Sequence, residues 1–371
     1  MSTATAAVVH EPGGPFTLTE VELGPLRPDE VRVRTVATGV CHTDLSAASG
    51  ATPFPLPGVL GHEGAGVVEE VGAQVGRAAV GDRVLMSFTS CGRCRRCRQG
   101  HPAYCRDHLS LNLLGGRRAD GTTPVTVRGR ELNAHFFGQS SFATRVVADE
   151  RGLVVLPPGT TDEDLVVLAP LGCGLMTGAG AVLNELRPRP DDVLAITGAG
   201  AVGLAAVMAA RATSVARVVV VDRLPSRLDL ALELGATDVV DTTAVDLEDA
   251  LEELTQGRGV DAAVETTGVV PVLDALVASL AVRGRCAVVG APPAGSRGSF
   301  DVQALLPGRS IRGVTLGDAE AESFVPALLG LHRQGRFPLE RLQVTYPFAD
   351  IGRAVADAAR GDTVKPVLVF G

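Results

Sequence analysis

The sequence contains no tryptophan, only two tyrosines and a single lysine, Lys365, among its 371 residues. The scarcity of aromatic side chains leaves few platforms for stacking a ligand. The formal net charge is -8 and no block of basic residues is present, which argues against binding to nucleic acid or to an anionic membrane. Because 46% of the residues are apolar, the chain can form a large core, and its length favours two domains over one.

The first fourteen residues carry neither a basic segment nor an apolar one, so we expect no signal peptide. The long uncharged stretch 193–210 is interrupted by three glycines, which favours a strand, turn and helix of a soluble protein over a membrane span. We therefore expect a cytoplasmic protein without membrane contact. In that compartment seven cysteines indicate metal binding rather than disulfides.

Two patterns of secondary structure divide the chain. Up to about residue 170, short apolar segments such as 31–36 and 64–71 alternate with Gly- and Pro-rich turns, which predicts a barrel-like β domain. From about residue 191 to the predicted strand 311–316, segments of strand and helix length alternate, which predicts a doubly wound parallel sheet. The remaining residues, with a closing strand at 366–370, are expected to return to the first domain.

A glycine-rich loop lies between a predicted apolar strand and a predicted apolar helix. Gly198, Gly200 and Gly203 give it the GxGxxG spacing, which permits a tight turn and brings a pyrophosphate to a helix N-terminus. Asp222 ends the next predicted strand, where a carboxylate can accept both hydroxyls of an adenosine ribose and repels a 2′-phosphate. The loop therefore predicts an NAD site, and Arg223 keeps NADP as the alternative.

Four of the seven cysteines lie close together in the chain, at Cys91, Cys94, Cys97 and Cys105. Four thiolates at spacings of two, two and seven residues can close a tetrahedral zinc shell that leaves no position for a substrate. The cluster therefore predicts a structural zinc site, with an iron-sulfur cluster as its main alternative.

The other candidate metal ligands are dispersed. Cys41 begins a Cys-His-Thr-Asp segment, His62 and Glu63 follow Gly61, and Cys173 lies between two glycines. Two thiolates and one imidazole make a zinc site with one open position, which is the arrangement of a catalytic site.

These motifs together resemble the zinc-dependent medium-chain alcohol dehydrogenase family over essentially the whole chain. Within that family the sequence is most similar to the benzyl (aryl) alcohol dehydrogenases, and the stretches that support this are 136–143, 170–174, 177–180, 289–293 and 365–368. The resemblance implies an α/β protein with a GroES-like β-barrel catalytic domain (1–174 and 315–371) and a doubly wound parallel Rossmann domain (175–314).

The resemblance also assigns metal ligands. Cys41, His62 and Cys173 would hold the catalytic zinc, and Glu63 would lie beside it as an alternative ligand. Asp44 would orient His62, as metal-bound imidazoles usually require. With the four clustered cysteines, this implies two Zn²⁺ ions per chain.

Further roles follow from the same resemblance. Thr43 would hydrogen-bond the substrate oxygen and start a proton relay. Ser46 stands where many family members have a histidine, and a hydroxyl cannot act as a base near neutrality, so the terminal acceptor stays open among the ribose, water and His42. The expected cofactor contacts are Gly198, Gly200, Val202, Gly203, Asp222, Arg223, Thr177, His42 and Lys365. The expected apolar walls of the substrate pocket are Phe88, Leu109, Phe136, Phe137 and Ala291.

The implied function is the reversible oxidation of a primary aryl or allylic alcohol to its aldehyde with hydride transfer to NAD. Three alternatives stay open: a thiol-dependent formaldehyde dehydrogenase whose polar patch would use Arg117, Arg118 and Arg128, a biosynthetic dehydrogenase acting on an unusual metabolite, and a non-enzymatic zinc protein. The long segment 105–143 resembles that of dimeric family members, so we expect a homodimer that extends the parallel sheet through 311–316.

Overall fold

The structure is a computed structural model that describes residues 2–371. It divides into two units, which are described separately. Unit 1 runs to Cys173 and includes Glu320–Ala327 and Leu339–Gly371, and unit 2 consists of Gly174–Ala319 and Leu328–Pro338. The functional domains expected from the sequence, 1–174 with 315–371 and 175–314, stay a prediction.

Regular elements follow one another along the whole of the described chain. The strands are β1 (Ser2–Val9), β2 (Thr17–Leu23), β3 (Glu30–Gly39), β4 (Gly58–Val59), β5 (Glu63–Val71), β6 (Arg83–Met86), β7 (Val125–Val127), β8 (Arg130–Glu131), β9 (Arg145–Asp149), β10 (Leu153–Val155), β11 (Val193–Thr197), β12 (Arg217–Asp222), β13 (Asp238–Asp241), β14 (Val260–Glu265), β15 (Leu280–Val288), β16 (Ser310–Gly313), β17 (Gln343–Pro347) and β18 (Lys365–Val369). The α-helices are α1 (His42–Ser49), α2 (Arg95–Arg98), α3 (Asp162–Leu168), α4 (Gly174–Gly180), α5 (Ala201–Ala210), α6 (Pro225–Leu234), α7 (Leu247–Thr255), α8 (Val270–Ala278), α9 (Ala321–Arg333) and α10 (Ile351–Arg360).

Unit 1 contains two sheets. One has the order β4-β1-β2-β7-β8, and the other has the order β10-β6-β5-β3-β18-β17 with β9 also paired to β3. In the second sheet β3 lies between β5 and β18, so that Gly39 pairs with Glu63 on one side and with Val367 on the other. This register brings β18 beside the end of β3, next to the start of β5.

Unit 2 contains one six-stranded sheet whose strands are all parallel, in the order β13-β12-β11-β14-β15-β16. In this order β11 to β13 are added toward one edge of the sheet and β14 to β16 toward the other, which is typical of a dinucleotide-binding fold. The doubly wound parallel sheet predicted from the sequence is confirmed. Its central strands read as continuous apolar runs because both faces are buried, and Val193–Thr197 is buried throughout.

The last strand of this sheet is shorter than predicted. β16 ends at Gly313, and Leu316 lies in a 3-10 turn, Leu316–Asp318, so that the predicted strand 311–316 is wrong in its second half. Leu316 takes a φ of 50°, a left-handed conformation that does not occur within an extended strand.

Among residues 2–371 no single helix is long and apolar enough to cross a membrane, although one bent pair of helices, Asp162–Gly172 with Gly174–Leu186, passes on length and composition.

Candidate active site

The end of β3 and the start of α1 carry the first cluster of functional residues. Cys41 is the N-cap residue of α1, and its backbone N–H donates to Oδ2 of Asp44 at 2.9 Å. The other oxygen of Asp44 accepts from the backbone N–H of Gly61 at 3.0 Å and from Nδ1 of His62 at 2.8 Å. A buried carboxylate at the start of a helix therefore ties the Cys41 turn to Gly61 and His62, the two residues that precede β5.

The ring of His62 is completely buried, and its two nitrogens have different surroundings. Because Nδ1 donates to Asp44, Nε2 is the nitrogen that can bind a metal once it has lost its proton, and it has no hydrogen-bond partner. Burial by itself would lower the pKa of His62, but the Asp44 carboxylate and the neighbouring Cys41 raise it well above its usual range. A buried polar atom without a partner is rare, and one that lies beside two cysteine sulfurs is suited to binding a metal.

Cys173 completes the cluster. It lies between a 3-10 turn, Ala169–Gly172, and the first residue of α4. One ligand atom from each of Cys41, His62, Glu63 and Cys173 lies within 4.8 Å of all the others. The hydrogen bond between the two sulfurs lowers the pKa of Cys41 well below its usual range and raises that of Cys173 well above it, so one sulfur holds the charge and the other the proton.

Glu63 is buried at the first position of β5 and forms an ion pair with Lys365. The Lys365 Nζ atom lies 2.9 and 3.0 Å from the two carboxylate oxygens and donates a third bond to the carbonyl of Val40 at 3.2 Å. Burial raises the pKa of Glu63, while Glu63 and Cys41 outweigh burial and raise the pKa of Lys365. The ammonium is buried beside these three oxygens, and the cofactor contact that the resemblance implied for Lys365 stays a prediction.

Gly39 provides the space for this ion pair. A Cβ atom at this position would lie 2.0 Å from Oε2 of Glu63. Glycine is therefore required at this point of β3 by the close approach of a side chain from β5 rather than by a special φ angle.

The other residues of the first motif lie around Cys41. The Thr43 hydroxyl is half-buried, 3.8 Å from the Cys41 sulfur, which places it at the edge of the cluster. His42 is exposed at the first position of α1, and Ser46 is half-buried one turn further along the helix.

Two of the five predicted pocket residues contact the metal-ligand candidates. The Phe137 ring stacks on His62 with centroids 4.4 Å apart, and the Phe136 ring meets the same imidazole edge-on at 5.5 Å. Phe137 has a φ of 51°, an uncommon conformation for an aromatic residue, which such packing must stabilise.

For the other three pocket residues the assignment stays a prediction. Phe88 is buried with its ring 6.1 Å from that of His108. Leu109 is 57% exposed. Ala291 is exposed and belongs to unit 2.

The four clustered cysteines also come together. Their sulfurs lie within 4.8 Å of one another. Backbone N–H groups donate to two of these sulfurs, from Cys94 to Cys91 at 3.4 Å and from Cys91 to Cys105 at 3.3 Å. Backbone hydrogen bonds, the largest from Cys97, lower the pKa of Cys94 to about 6, and burial raises that of Cys105 to about 12. The lobe thus brings four sulfurs together, and the lowered pKa of Cys94 favours its negatively charged thiolate form.

The glycine-rich loop lies in unit 2 between β11 and α5. Gly198 has a φ of 89°, and a Cβ atom on Gly203 would lie 1.7 Å from the Gly198 carbonyl oxygen. Gly200 is the N-cap of α5, so no side chain covers the N-terminus of this helix. The Asp222 carboxylate at the end of β12 accepts from the backbone N–H groups of Ala199 (2.6 Å) and Arg223 (2.7 Å), which fixes it beside the loop.

Two other predicted cofactor residues of this unit lie in α5 and in α4. Val202 is half-buried in the first turn of α5, and its carbonyl oxygen would lie 1.9 Å from a Cβ atom on Gly178. Thr177 is buried in α4, one residue before Gly178, so the helix that carries it packs closely on α5.

Sequence reasoning assigned no role to two buried residues, Gln139 and Ser87, whose side chains bond to the backbone around His62 and Cys173. The one signal for Gln139 was a long polar side chain in an otherwise small or apolar stretch, 136–143.

Comparisons with known proteins agree with this geometry. The family described as "Alcohol dehydrogenase GroES-like domain" matches residues 27–158, and the family described as "Zinc-binding dehydrogenase" matches residues 201–330. A geraniol dehydrogenase of Castellaniella defragrans is 43% identical over 369 residues, which cover 99% of this chain and 98% of that protein.

Two solved structures are similar over the full length. An alcohol dehydrogenase zinc-binding domain protein from Burkholderia ambifaria superposes with a TM-score of 0.96 at 48% identity, covering 100% of this chain and 99% of that one. The benzyl alcohol dehydrogenase of Acinetobacter calcoaceticus superposes with a TM-score of 0.95 at 40% identity, and each chain is covered completely.

Proposed function

This chain belongs to the zinc-dependent medium-chain alcohol dehydrogenase family, and we propose that it oxidises primary aryl or allylic alcohols with NAD at a site built from Cys41, His62 and Cys173. The predicted fold class, a GroES-like domain with a Rossmann domain, is confirmed by that membership. It is an alcohol dehydrogenase that depends on zinc and a nicotinamide cofactor. One observation carries the site assignment: the buried Nε2 of His62 has no partner and belongs to a cluster of four ligand atoms within 4.8 Å.

The residues of the cluster fit zinc. Two sulfurs and one imidazole nitrogen are a ligand set that leaves one coordination position open. The Asp44 carboxylate holds His62 in the tautomer whose Nε2 can bind metal, which is the usual arrangement behind a metal-bound histidine. Glu63 lies in the same cluster but is held by Lys365, so we propose it as an alternative ligand rather than a permanent one.

The four-cysteine lobe fits a second zinc with a purely structural role. Four sulfur ligands fill a tetrahedral shell, and the backbone N–H groups that donate to two of the sulfurs would stabilise the negative charge of metal-bound thiolates. Two zinc ions per chain are therefore expected, and elemental analysis of the purified protein gives the count. Iron bound in place of zinc would show as visible absorption.

At the catalytic cluster the alcohol would lose its hydroxyl proton, and the carbon that carries the oxygen would then transfer a hydride to NAD. Zinc, when bound, supplies a Lewis acid that lowers the pKa of an alcohol hydroxyl by several units. The Thr43 hydroxyl, 3.8 Å from the Cys41 sulfur, would accept the hydroxyl proton. Ser46 can pass a proton on but cannot keep it, so the relay ends on His42, the ribose or water. Phe136 and Phe137 exclude water from the imidazole side.

NAD is favoured over NADP by the carboxylate of Asp222. Because it is fixed by backbone N–H donors beside the glycine-rich loop, it would repel a 2′-phosphate at the adenosine ribose. Replacing Asp222 with Ser should weaken selection against NADP, with Arg223 available to pair with the phosphate. The ratio of kcat/KM for NAD and NADP in both forms tests this. An unchanged ratio would contradict the assignment.

The substrate class is supported by relatives and by the aromatic wall. The similar proteins are named for geraniol and benzyl alcohol, an allylic and an aryl alcohol. Phe136 and Phe137 provide apolar surface beside His62, which suits such substrates better than a polyol.

The deciding experiment measures NAD reduction at 340 nm with benzyl alcohol, cinnamyl alcohol, geraniol, ethanol, a polyol, and formaldehyde with and without a thiol. The same panel is run on Cys173→Ser. We expect aryl and allylic alcohols to dominate and the variant to lose activity. A variant as active as the parent would refute the site, and a preference for ethanol or the polyol would refute the substrate class.

A thiol-dependent formaldehyde dehydrogenase is the weaker candidate. It requires basic side chains free to bind the carboxylates of the thiol adduct. Arg118 is instead largely buried in a bidentate ion pair with Glu30, and Arg117 pairs with Glu131 at 2.5 Å. Activity confined to formaldehyde with thiol would reverse this order.

We also propose a cytoplasmic homodimer that extends the parallel sheet of unit 2. β16 is the last strand of that sheet, and Ser310, Arg312 and Gly313 are exposed. The preceding segment exposes Val302 and Leu306 by 72% and 79%, which is unfavourable in a monomer. Light scattering after size exclusion should give twice the chain mass, and Leu306→Asp should reduce it. A monomeric parent protein would refute the dimer.

A further inference from the structure

A buried side-chain amide joins the backbone on both sides of Glu63 to Ser87, the residue that follows β6. The Gln139 side chain is 2% exposed. Its Oε1 accepts from the backbone N–H of Gly64 at 3.1 Å, and its Nε2 donates to the carbonyl of His62 at 3.0 Å and to that of Ser87 at 2.9 Å. Both amide hydrogens are used, so the three partners fix the orientation of the side chain.

The contact continues from Ser87 to the segment that carries Cys173. The Ser87 hydroxyl donates to the carbonyl of Gly172 at 2.5 Å, and Gly172 directly precedes Cys173. Gly172 approaches closely, since a Cβ atom there would lie 2.4 Å from the carbonyl oxygen of Met86. A continuous set of hydrogen bonds therefore runs from His62 through Gln139 and Ser87 to the residue before Cys173.

Asp44 makes the equivalent connection on the other side of the cluster. Its two oxygens bond to the backbone of Cys41 and to the ring of His62, so it joins the first ligand candidate to the second. Gln139 and Ser87 join the second to the third. The two connections meet at His62, one through its imidazole and the other through its peptide.

We propose that Gln139 is a positioning residue that, through Ser87, sets the spacing between His62 and Cys173 at the metal site; this rests on the proposed catalytic zinc. Ligands on separate segments bind a metal well only when each is already held near its bound position, because ordering them afterwards costs binding free energy. Cys41 and His62 are 21 positions apart in the chain, whereas Cys173 is 111 positions beyond His62, so the third ligand depends most on tertiary contacts.

Gln139→Met tests the proposal, because methionine has a similar shape and makes none of the three bonds. The readouts are the rate at which the more labile zinc moves to a chelator and the visible spectrum of protein with Co²⁺ in that position. We expect roughly 10- to 100-fold weaker retention of one metal per chain and an altered cobalt spectrum. The metal of the four-cysteine lobe should be retained as in the parent.

Asn112→Leu is the matched control. Asn112 is also a buried amide with three bonds to backbone groups, to Thr89 N at 2.9 Å, Thr89 O at 3.0 Å and His108 O at 2.9 Å. We expect a comparable loss of stability with an unchanged cobalt spectrum. If Gln139→Met loses stability but matches the control in metal retention and spectrum, Gln139 only stabilises the fold and the proposal is wrong.

Ser87→Ala provides a second, smaller change that removes only the bond to Gly172. It should weaken retention of the same metal, and the double variant should cost less than the sum of the two single ones, since both act through one set of bonds. Fully additive effects, or none from Ser87→Ala, would overturn the proposal. A parent protein without this metal would instead refute the proposed catalytic site.

Discussion

The ammonium of Lys365 lies 2.9 Å from the Glu63 carboxylate, 302 positions away in the chain. Both side chains are buried, and the pair adjoins the cysteines and histidine of the metal-ligand cluster. The register of β3 explains the contact. Gly39 pairs with Glu63 on β5 and with Val367 on β18, so the first residue of β18 reaches the same place.

Removing one partner of this pair should be costly. Lys365→Met leaves a buried carboxylate without its counter-charge, and we expect a loss of about 3–5 kcal/mol in the free energy of unfolding. Chemical denaturation measures it. Arg360→Met, which breaks exposed ion pairs with Asp357 and Asp362, serves as the control and should cost less than about 1 kcal/mol. Equal losses in both variants would mean that the pair contributes no more than a surface salt bridge.

Gly39→Ala should disturb the same pair from the backbone. The added methyl would overlap Oε2 of Glu63, and we expect a destabilisation of about 2 kcal/mol, typical of overpacking. Gly330→Ala in α9 meets no atom within 4 Å and should be neutral or stabilising by roughly 0.5–1 kcal/mol. Thermal unfolding of both variants provides the comparison. A tolerated Gly39→Ala would show that Glu63 can move away without loss.

Asp44→Asn should weaken metal binding at His62 selectively. The carboxylate accepts three hydrogen bonds from N–H groups. In asparagine one of the two oxygens is replaced by an NH₂ group, which cannot accept a hydrogen bond and would face one of these N–H donors. We expect about 10- to 100-fold weaker retention of one zinc and full retention of the other. Zinc analysis after dialysis against a chelator distinguishes the two. Equal loss of both metals would indicate global unfolding.

His135 should make the protein sensitive to acid. Burial lowers the pKa of His135 from its ordinary 6.5 to about 4. Between these values the unfolded chain binds the proton and the folded one does not, so stability is fully present above pH 6.5 and is lost as the pH falls toward 4. The loss from this group is on the order of 3 kcal/mol.

His135→Gln, which cannot titrate in this range, should flatten the fall in stability between pH 6.5 and 4 relative to the parent. Urea denaturation at a series of pH values measures the slope. Parallel curves for the two proteins would show that another group causes the acid sensitivity.

Motifs of short span were accessible from the sequence because backbone geometry alone fixes them. The GxGxxG spacing requires a positive φ at Gly198 and no side chain at Gly203, and both occur in the turn between β11 and α5. Four cysteines within fifteen residues are close in space because the chain between them is short. Strand and helix alternation after residue 191 likewise predicted the parallel sheet, since strands buried on both faces read as apolar runs.

Contacts of long span were not accessible in this way. The residue types of Cys41, His62 and Cys173 suggested a zinc site, but only the family resemblance assigned them to one. The same resemblance implied a cofactor contact for Lys365 and did not indicate its ion pair with Glu63. The stacking of Phe137 on His62 depends on a left-handed backbone conformation at Phe137, which no local sequence pattern predicts.

The sequence by itself therefore determined the type of fold, the nucleotide loop and the four-sulfur lobe. Tertiary structure alone decided that Lys365 neutralises Glu63 and that Gln139 bonds to the backbone around His62. The physical reason is that strand register, a sum of many weak contacts over the whole sheet, sets which distant side chains meet.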